Sequence, residues 1–374
     1  MHRFPEFQIF VKPVSSRCNL QCGYCYYSSH GQQQPTGMTD ALMESYIAQH
    51  IAASTNSVIA FSWHGGEPTL YGLDGFRKIV ALQKKHLPEG CFVVNGIQTN
   101  GILIDEEWCR FLSEENFKVG LSLDGTERDH DIFRKTASGE STHRRVMQAY
   151  EQLKMHGVET ECLCVVHAGN VDRPLEVYEF FRRIHVPYLT FLPLVERGRD
   201  GSVGCRTVPS EDWGAFLCAV FDRWLQRDIG HIKVQIFEEA ARTAFGLEHT
   251  LCIFREACGV PVLESNGDVY ACDHFVAPPY KLGNITETPL LKLLECRDIL
   301  AFGRTKRDTL TRQCLDCDVL DMCNGGCPRN RFIATEDGET GLNYLCAGYR
   351  RFFKHCRPFV AALAEVWRRQ EGNY

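Results

Sequence analysis

Four polar segments in the first third of this chain each follow a short run that reads as a β-strand. This register limits the fold more than any other feature. Cys18-Asn-Leu-Gln-Cys22-Gly-Tyr24-Cys25 follows the run 7–13, and His64-Gly65-Gly66-Glu67-Pro68-Thr69 follows 58–63. Gln98-Thr-Asn-Gly ends the run 92–99, and Ser122-Leu-Asp124-Gly ends 118–123. Two more strand-like runs, 159–166 and 188–193, come next. Amphipathic stretches at 40–52, 73–85, 105–115, 142–155 and 173–184 separate the runs, and a sixth, 210–227, closes the set. Strands alternating with helices at this spacing predict a parallel sheet covered by helices. In an α/β barrel the C-terminal strand ends share one mouth, so four special segments at four consecutive strand ends describe one site.

The pattern changes after about residue 237. Alternation fades, loop residues multiply and Cys density rises. A domain boundary is expected between 230 and 250, giving domains 1–235 and 236–374. The polar stretch 28–37 is expected to be a mobile loop.

The thiols carry the chemistry. Cys18, Cys22 and Cys25, spaced C-x3-C-x2-C, can hold three irons of a 4Fe–4S cluster and leave the fourth open to a small molecule. A zinc knuckle is the alternative, with His30 the nearest fourth ligand. Further on come Cys252, Cys258 and Cys272, then Cys314, Cys317, Cys323, Cys327 and Cys346. Eight thiolates suffice for two fully ligated clusters, or for two zinc sites. The remaining cysteines, Cys91, Cys109, Cys162, Cys164, Cys205, Cys218, Cys296 and Cys356, read as small buried hydrophobes. Cys205, in a polar loop, is also placed to approach a substrate.

Charge and termini narrow the class. The chain has 41 Lys and Arg against 47 Asp and Glu, a formal charge of −6, which disfavours nucleic acid as a partner. No apolar run is long enough to span a bilayer, and Met1-His-Arg-Phe-Pro-Glu has no secretory h-region. A cytoplasmic protein with no membrane partner is expected, in which 19 Cys do not form a disulfide framework.

The run Cys18 to Cys25 resembles the signature of the radical S-adenosylmethionine (SAM) superfamily, and Gly65-Gly66-Glu67-Pro68 resembles its GGEP segment. The resemblance implies a partial (β/α)6 TIM-like barrel. In it a cluster on Cys18, Cys22 and Cys25 binds SAM and cleaves it to a 5′-deoxyadenosyl radical. It also implies SAM contacts from Gly65, Gly66 and Glu67, from Ser122 and Asp124, and from Gln98. Arg134 would meet the SAM carboxylate, and Tyr24 would lie near adenine. The C-terminal cysteines resemble a loop-rich SPASM iron–sulfur domain with two auxiliary 4Fe–4S clusters. That resemblance assigns Cys252, Cys258, Cys272 and Cys327 to one cluster and Cys314, Cys317, Cys323 and Cys346 to the other.

Val11-Lys12-Pro13, Gly65 to Leu70, Gln98 to Asp105, Gly120 to Gly125, Cys272-Asp273 and Leu282-Gly-Asn-Ile285 are most similar to the anaerobic sulfatase-maturating enzymes. Membership implies oxidation of a Cys or Ser of an unfolded or nascent sulfatase polypeptide to Cα-formylglycine, an aldehyde. Asp273, directly after a cluster Cys, would be the base. The electron released would pass to an auxiliary cluster, and flavodoxin or ferredoxin would be the reductant. The rival within the class is a maturase forming thioether or carbon crosslinks on a peptide. Such enzymes often carry an N-terminal peptide-recognition domain, for which there is no room before residue 7. The rivals outside the class are an iron–sulfur carrier or scaffold, which needs no SAM site, and a nucleic-acid modifier of the same superfamily.

Overall fold

The computed structural model describes residues 7–27, 37–198 and 200–371, so the expected loop 28–37 lies almost wholly outside it, as does His30. The described residues form two compact units that interleave along the chain. One draws on Met1–Leu123, His130–Glu161 and Gly259–Gly303, the other on Asp124–Asp129, Cys162–Cys258 and Arg304–Tyr374.

In the first unit, β1 (Phe10–Val11), β2 (Val58–Trp63), β3 (Phe92–Thr99) and β4 (Lys118–Ser122) pair in parallel in that order. Alternation drives β2: Ile59, Phe61 and Trp63 are buried. Helices Asp40–Ala53, Leu73–His86, Glu106–Glu114 and His143–Met155 lie between the strands in sequence, within about two residues of expectation. Leu73–His86 buries Phe76, Ile79, Val80 and Gln83, a single helical stripe, and ends on Lys84, Lys85 and His86, which suit the negative end of its dipole. Asp105 caps the next helix by accepting the Trp108 N–H at 2.9 Å.

Phe76 is the hub of this core. Its ring lies 6.0 Å from Trp63, 5.4 Å from Trp108 and 6.1 Å from Phe117, each edge-on. A polar pair is admitted and matched: Asn95 accepts from Trp63 Nε1 at 2.9 Å and exchanges two 2.9 Å bonds with Gln83.

Two features depart from the sequence reading. The first strand is two residues long rather than seven, because Pro13 has no N–H to donate and the chain turns, with Ser15 N–H bonding Lys12 O at 3.1 Å. The loop-rich region also contributes strands to the sheet. β8 (Val262–Leu263) pairs in parallel with β1, and β9 (Asp268–Tyr270) and β10 (Lys281–Asn284) continue antiparallel. The Asn266-Gly267 pair, with Gly267 at φ +88°, makes the β8–β9 turn.

The second unit holds β5 (Thr160–Val166), β6 (Tyr188–Pro193) and β7 (Lys233–Val234) in that order, with β6 and β7 parallel. It also holds the antiparallel pair β11 (Arg331–Ala334) and β12 (Thr340–Asn343). Helices Ser210–Arg227 and Cys346–Glu371 touch where two glycines meet: a Cβ on Gly348 would lie 2.2 Å from Ser210 O. Beside that contact Phe221, Phe237 and Phe352 pack ring to ring at 5.2–6.1 Å.

Phe76→Ala should cost about 3–5 kcal/mol, because three rings lose one common neighbour. Urea unfolding of the two proteins, compared at one temperature, checks it.

Candidate functional site

In the first unit, the GGE turn is clamped beneath the thiol loop. Gly66 N–H bonds Ser15 O at 2.7 Å and Glu67 N–H bonds Arg17 O at 2.9 Å. A Cβ on Gly66 would sit 2.2 Å from Arg17 O, so the glycine is needed for the approach of the cysteine loop itself. Glu67 is fully buried. It accepts from Thr69 N at 3.0 Å, Thr69 Oγ1 at 2.7 Å, Thr99 Oγ1 at 2.7 Å and Asn100 N at 2.7 Å. Four donors fill a carboxylate's acceptor sites, so Glu67 fixes the ends of β2 and β3. Burial raises its pKa and those hydrogen bonds oppose the rise.

Asn100, so held, donates to Cys18 Sγ at 3.7 Å, and Leu20 N–H does so at 3.4 Å. Burial, with Glu67, Cys22 and Cys25 adding to it, pushes the Cys18 thiol up to about 12. A Cys18 thiol held protonated in this way suits a site for iron, whose positive charge would favour the thiolate. The loop is pinned on its other side by Gln21 N–H to Lys135 O at 2.8 Å and Gly23 N–H to Phe133 O at 2.9 Å. Tyr24 packs edge-on to Phe133 at 5.5 Å, with the buried Arg134 guanidinium 5.4 Å from its ring. Gln98 donates to Ser122 Oγ at 3.1 Å, so the polar ends of β3 and β4 meet as expected. Asp124 belongs to the other unit, where its buried carboxylate accepts Val165 N–H at 2.9 Å.

Cys272 and Asp273 leave β9, and the pairing of β8 with β1 brings them to the residues after Cys25. Tyr26 donates its hydroxyl to Asp273 Oδ2 at 2.6 Å. Burial pushes the Asp273 carboxyl up, but His274, Lys12, the Tyr26 hydroxyl and His64 pull it down to about 2. Alongside, Tyr27 donates to Glu264 at 2.5 Å, and the Lys12 ammonium lies 3.3 Å from the Tyr27 ring centre and 3.9 Å from Glu264. Burial holds the His64 imidazole down at about 4. Tyr26, Tyr27 and Glu264 were not singled out from sequence, and Lys12 only within the segment Val11-Lys12-Pro13; the aromatic pair directly after the third cysteine was the available signal.

The second unit gathers the later thiols. Cys314, Cys317, Cys323 and Cys346 line one cavity of about 240 Å³ with Asn343 and Arg350. Burial and the other three thiols hold Cys323 up at about 12. Between Cys323 and Cys327 the chain reverses through Asn324, Gly325 and Gly326, all left-handed at φ +46°, +69° and +61°. Among the described residues no three His, Cys, Asp or Glu close on one point as a single ion requires. A four-iron cube spreads its ligands around a body, and the four-thiol cavity is the matching shape.

Cys252 follows a segment fixed by Glu239, which accepts from His249 at 2.9 Å, Thr250 N at 3.1 Å and Leu251 N at 2.8 Å. Cys272 lies in the first unit, apart in sequence and unit from Cys252, Cys258 and Cys327. Of the cysteines read as buried hydrophobes, Cys109, Cys162, Cys164 and Cys356 are buried. Cys91, Cys218 and Cys296 are half-buried and Cys205 is exposed, since its loop is polar and has no apolar face to cover it.

The family model described as Radical SAM superfamily matches residues 13–181, and SPASM, an iron–sulfur cluster-binding domain, matches 252–318. The chain is 41% identical over 372 residues to the serine-type anaerobic sulfatase-maturating enzyme of Bacteroides thetaiotaomicron, covering 94% of this chain and 90% of that one. It is 34% identical to the cysteine-type enzyme of Clostridium perfringens, covering 96% and 99%. The solved structure of native anSMEcpe with bound AdoMet and Cp18Cys peptide matches with a TM-score of 0.87 at 33% identity, covering 97% and 99%. Streptococcus suis SuiB bound to precursor peptide SuiA shares the fold, with a TM-score of 0.66 at 18% identity over 91% of this chain and 76% of that one.

Gly66→Ala should displace the loop that carries Cys18, so protein reconstituted with iron and sulfide should lose the iron of the first site. Iron content per chain checks it. Glu239 is a second test. Burial raises its pKa, but His249, Thr250 and Leu251 lower it further, so the net shift is downward. A carboxylate depressed on folding stabilises the fold above its unfolded pKa and loses that contribution as pH falls through the folded value. Unfolding free energy of the metal-free protein should therefore drop below about pH 4, and Glu239→Gln should flatten that drop. Its cost at neutral pH should be at least about 2 kcal/mol.

Proposed function

This chain belongs to the anaerobic sulfatase-maturating enzymes of the radical SAM superfamily, and we propose that it oxidises a Cys or Ser of a sulfatase polypeptide to Cα-formylglycine. The observation that carries the reading is Asp273: a half-buried, ionised carboxylate, directly after Cys272, with one oxygen held by Tyr26.

In this reading Cys18, Cys22 and Cys25 hold the SAM-binding 4Fe–4S cluster. Cys252, Cys258, Cys272 and Cys327 hold one auxiliary cluster, and Cys314, Cys317, Cys323 and Cys346 hold the other. When bound, SAM and its cluster supply the 5′-deoxyadenosyl radical that takes a hydrogen atom from the target Cβ. The protein's own groups do the rest. Gly65 and Gly66 shape the backbone edge offered to SAM, and Glu67 holds that edge in place from behind. Gln98 and Ser122 present a paired amide and hydroxyl, and Asp124 a carboxylate, to its polar groups. Arg134 faces its carboxylate and Tyr24 its adenine.

Asp273 accepts the thiol or hydroxyl proton at Oδ1, while Tyr26 keeps Oδ2 occupied and the carboxylate aimed. The cations that keep Asp273 ionised also weaken it as a base. A thiol or hydroxyl beside a carbon radical is acidified, and a weak base suffices for it.

The relatives are of serine and cysteine type, and both targets call for the same three losses: a Cβ hydrogen, a heteroatom proton and an electron, which would pass to an auxiliary cluster. A Cys then leaves a thioaldehyde, which water converts to the aldehyde with release of hydrogen sulfide. The finer parts of the reading are an unfolded or nascent substrate, flavodoxin or ferredoxin as electron donor, no nucleic acid or membrane partner, and a cytoplasmic setting. No helix among the described residues is long and apolar enough to cross a membrane. The division into a barrel, 1–235, and an iron–sulfur domain, 236–374, also belongs to this reading.

Asp273→Asn tests the role of the carboxylate. With SAM, a reductant and a sulfatase-motif peptide, the variant should still release 5′-deoxyadenosine but should lose aldehyde formation at least about a hundredfold. Aldehyde formation at the wild-type rate would remove Asp273 from the mechanism.

A further inference from the structure

The second unit holds a buried cation, Lys306, and a half-buried one, Arg331, that no carboxylate pairs with among the described residues. Lys306 is fully buried and donates its ammonium to three backbone carbonyls: Cys252 at 3.0 Å, Ile253 at 2.8 Å and Arg255. Arg331 spreads its guanidinium over Gly325 O at 3.1 Å, Lys306 O at 2.5 Å, Asn324 O at 3.1 Å and Gly326 O at 3.4 Å, with Thr309 Oγ1 at 3.2 Å. Carbonyl dipoles satisfy the N–H groups but do not cancel two net charges. Burial works against the charged form of each, and at Lys306 the Arg331 charge adds to it.

The groups that favour the charged forms are all thiols. Cys258, Cys252 and Cys327 act on Lys306; Cys314, Cys258, Cys323 and Cys327 act on Arg331. Arg331 therefore stands within electrostatic reach of members of both proposed cluster sets, and Lys306 of members of one. Neighbouring cations withdrawn from water persist only where lasting negative charge is supplied. Sulfide and thiolate around iron supply it.

We propose that Lys306 and Arg331 are the built-in countercharges of the auxiliary iron–sulfur pockets and raise the reduction potentials of the clusters held there. The inference rests on the auxiliary cluster assignment above. A reduced cluster carries one more negative charge than an oxidised one, so a fixed cation nearby stabilises the reduced form. The effect makes these clusters better electron acceptors, which the oxidation of a side chain to an aldehyde requires. Both residues are positioning residues and touch neither SAM nor substrate in this account.

The test separates charge from hydrogen bonding. Full-length protein carrying Cys18→Ala, Cys22→Ala and Cys25→Ala is reconstituted, so that only the auxiliary clusters report, and titrated by EPR against a redox scale. Arg331→Gln keeps donors and drops the charge, whereas Arg331→Lys keeps the charge and drops the fork. Arg331→Gln should make reduction at least tenfold less favourable, about 59 mV for one electron, and Arg331→Lys should stay within threefold of the parent. Equal shifts in both, or no shift in either, would overturn the inference. Where a variant loses iron, retention decides: more iron kept by Arg331→Lys than by Arg331→Gln supports the countercharge role, and equal loss overturns it. Lys306→Gln against Lys306→Arg is read the same way. A parent protein that takes up no iron would overturn the cluster assignment itself, and this inference with it.

Discussion

The carboxylate of Glu67 accepts four hydrogen bonds in a place water does not reach, and the geometry of the candidate site follows from it. A buried carboxylate without a cation is tolerable only when its acceptor sites are filled. Filling them draws Thr69, Thr99 and Asn100 to one point. The same residue's N–H is bonded to Arg17, and its neighbour Gly66 is bonded to Ser15. Two strand ends and the approach to Cys18 are thus fastened together before any iron is involved. Each such bond to a charged group is worth about 1.5–3 kcal/mol, and losing one leaves a buried charge underserved.

A second constraint is the short edge β8–β9. By lying against β1, it carries Cys272 and Asp273 from late in the chain to the residues that follow Cys25. The charges there are one cation shared by two acids: Lys12 among Glu264, Asp273 and the face of Tyr27, with Tyr26 and Tyr27 each giving its hydroxyl to one acid. The second unit solves the opposite problem, holding cations among thiols. In both places the protein's own charges do not cancel, and an iron–sulfur cluster would complete the set.

Much of this could be read from the sequence, for physical reasons that differ by element. Runs such as 58–63 and 92–99 were legible because half-buried strands alternate, and the helices because apolar residues recur along one face. The cysteine groups were legible from spacing alone. The β8–β10 segment was missed because its strands are two to four residues long, too short for periodicity. The Asn266-Gly267 turn was the overlooked sign. Glu67 was expected to face the cofactor, and its internal role depends on donors 32 and 33 positions away, which no local pattern reveals. Lys306 and Arg331 were invisible for the same reason, since burial and isolation from carboxylates are properties of packing.

The central claim is that this chain removes a hydrogen atom from the Cβ of a sulfatase residue and leaves an aldehyde there. The most direct measurement uses sulfatase-motif peptides with Cys or Ser deuterated at Cβ, incubated anaerobically with reconstituted wild-type protein, SAM and a reductant, and read by mass spectrometry. The account predicts deuterium in 5′-deoxyadenosine together with a peptide aldehyde at the labelled residue. 5′-Deoxyadenosine without deuterium, with both peptides unchanged, would contradict it.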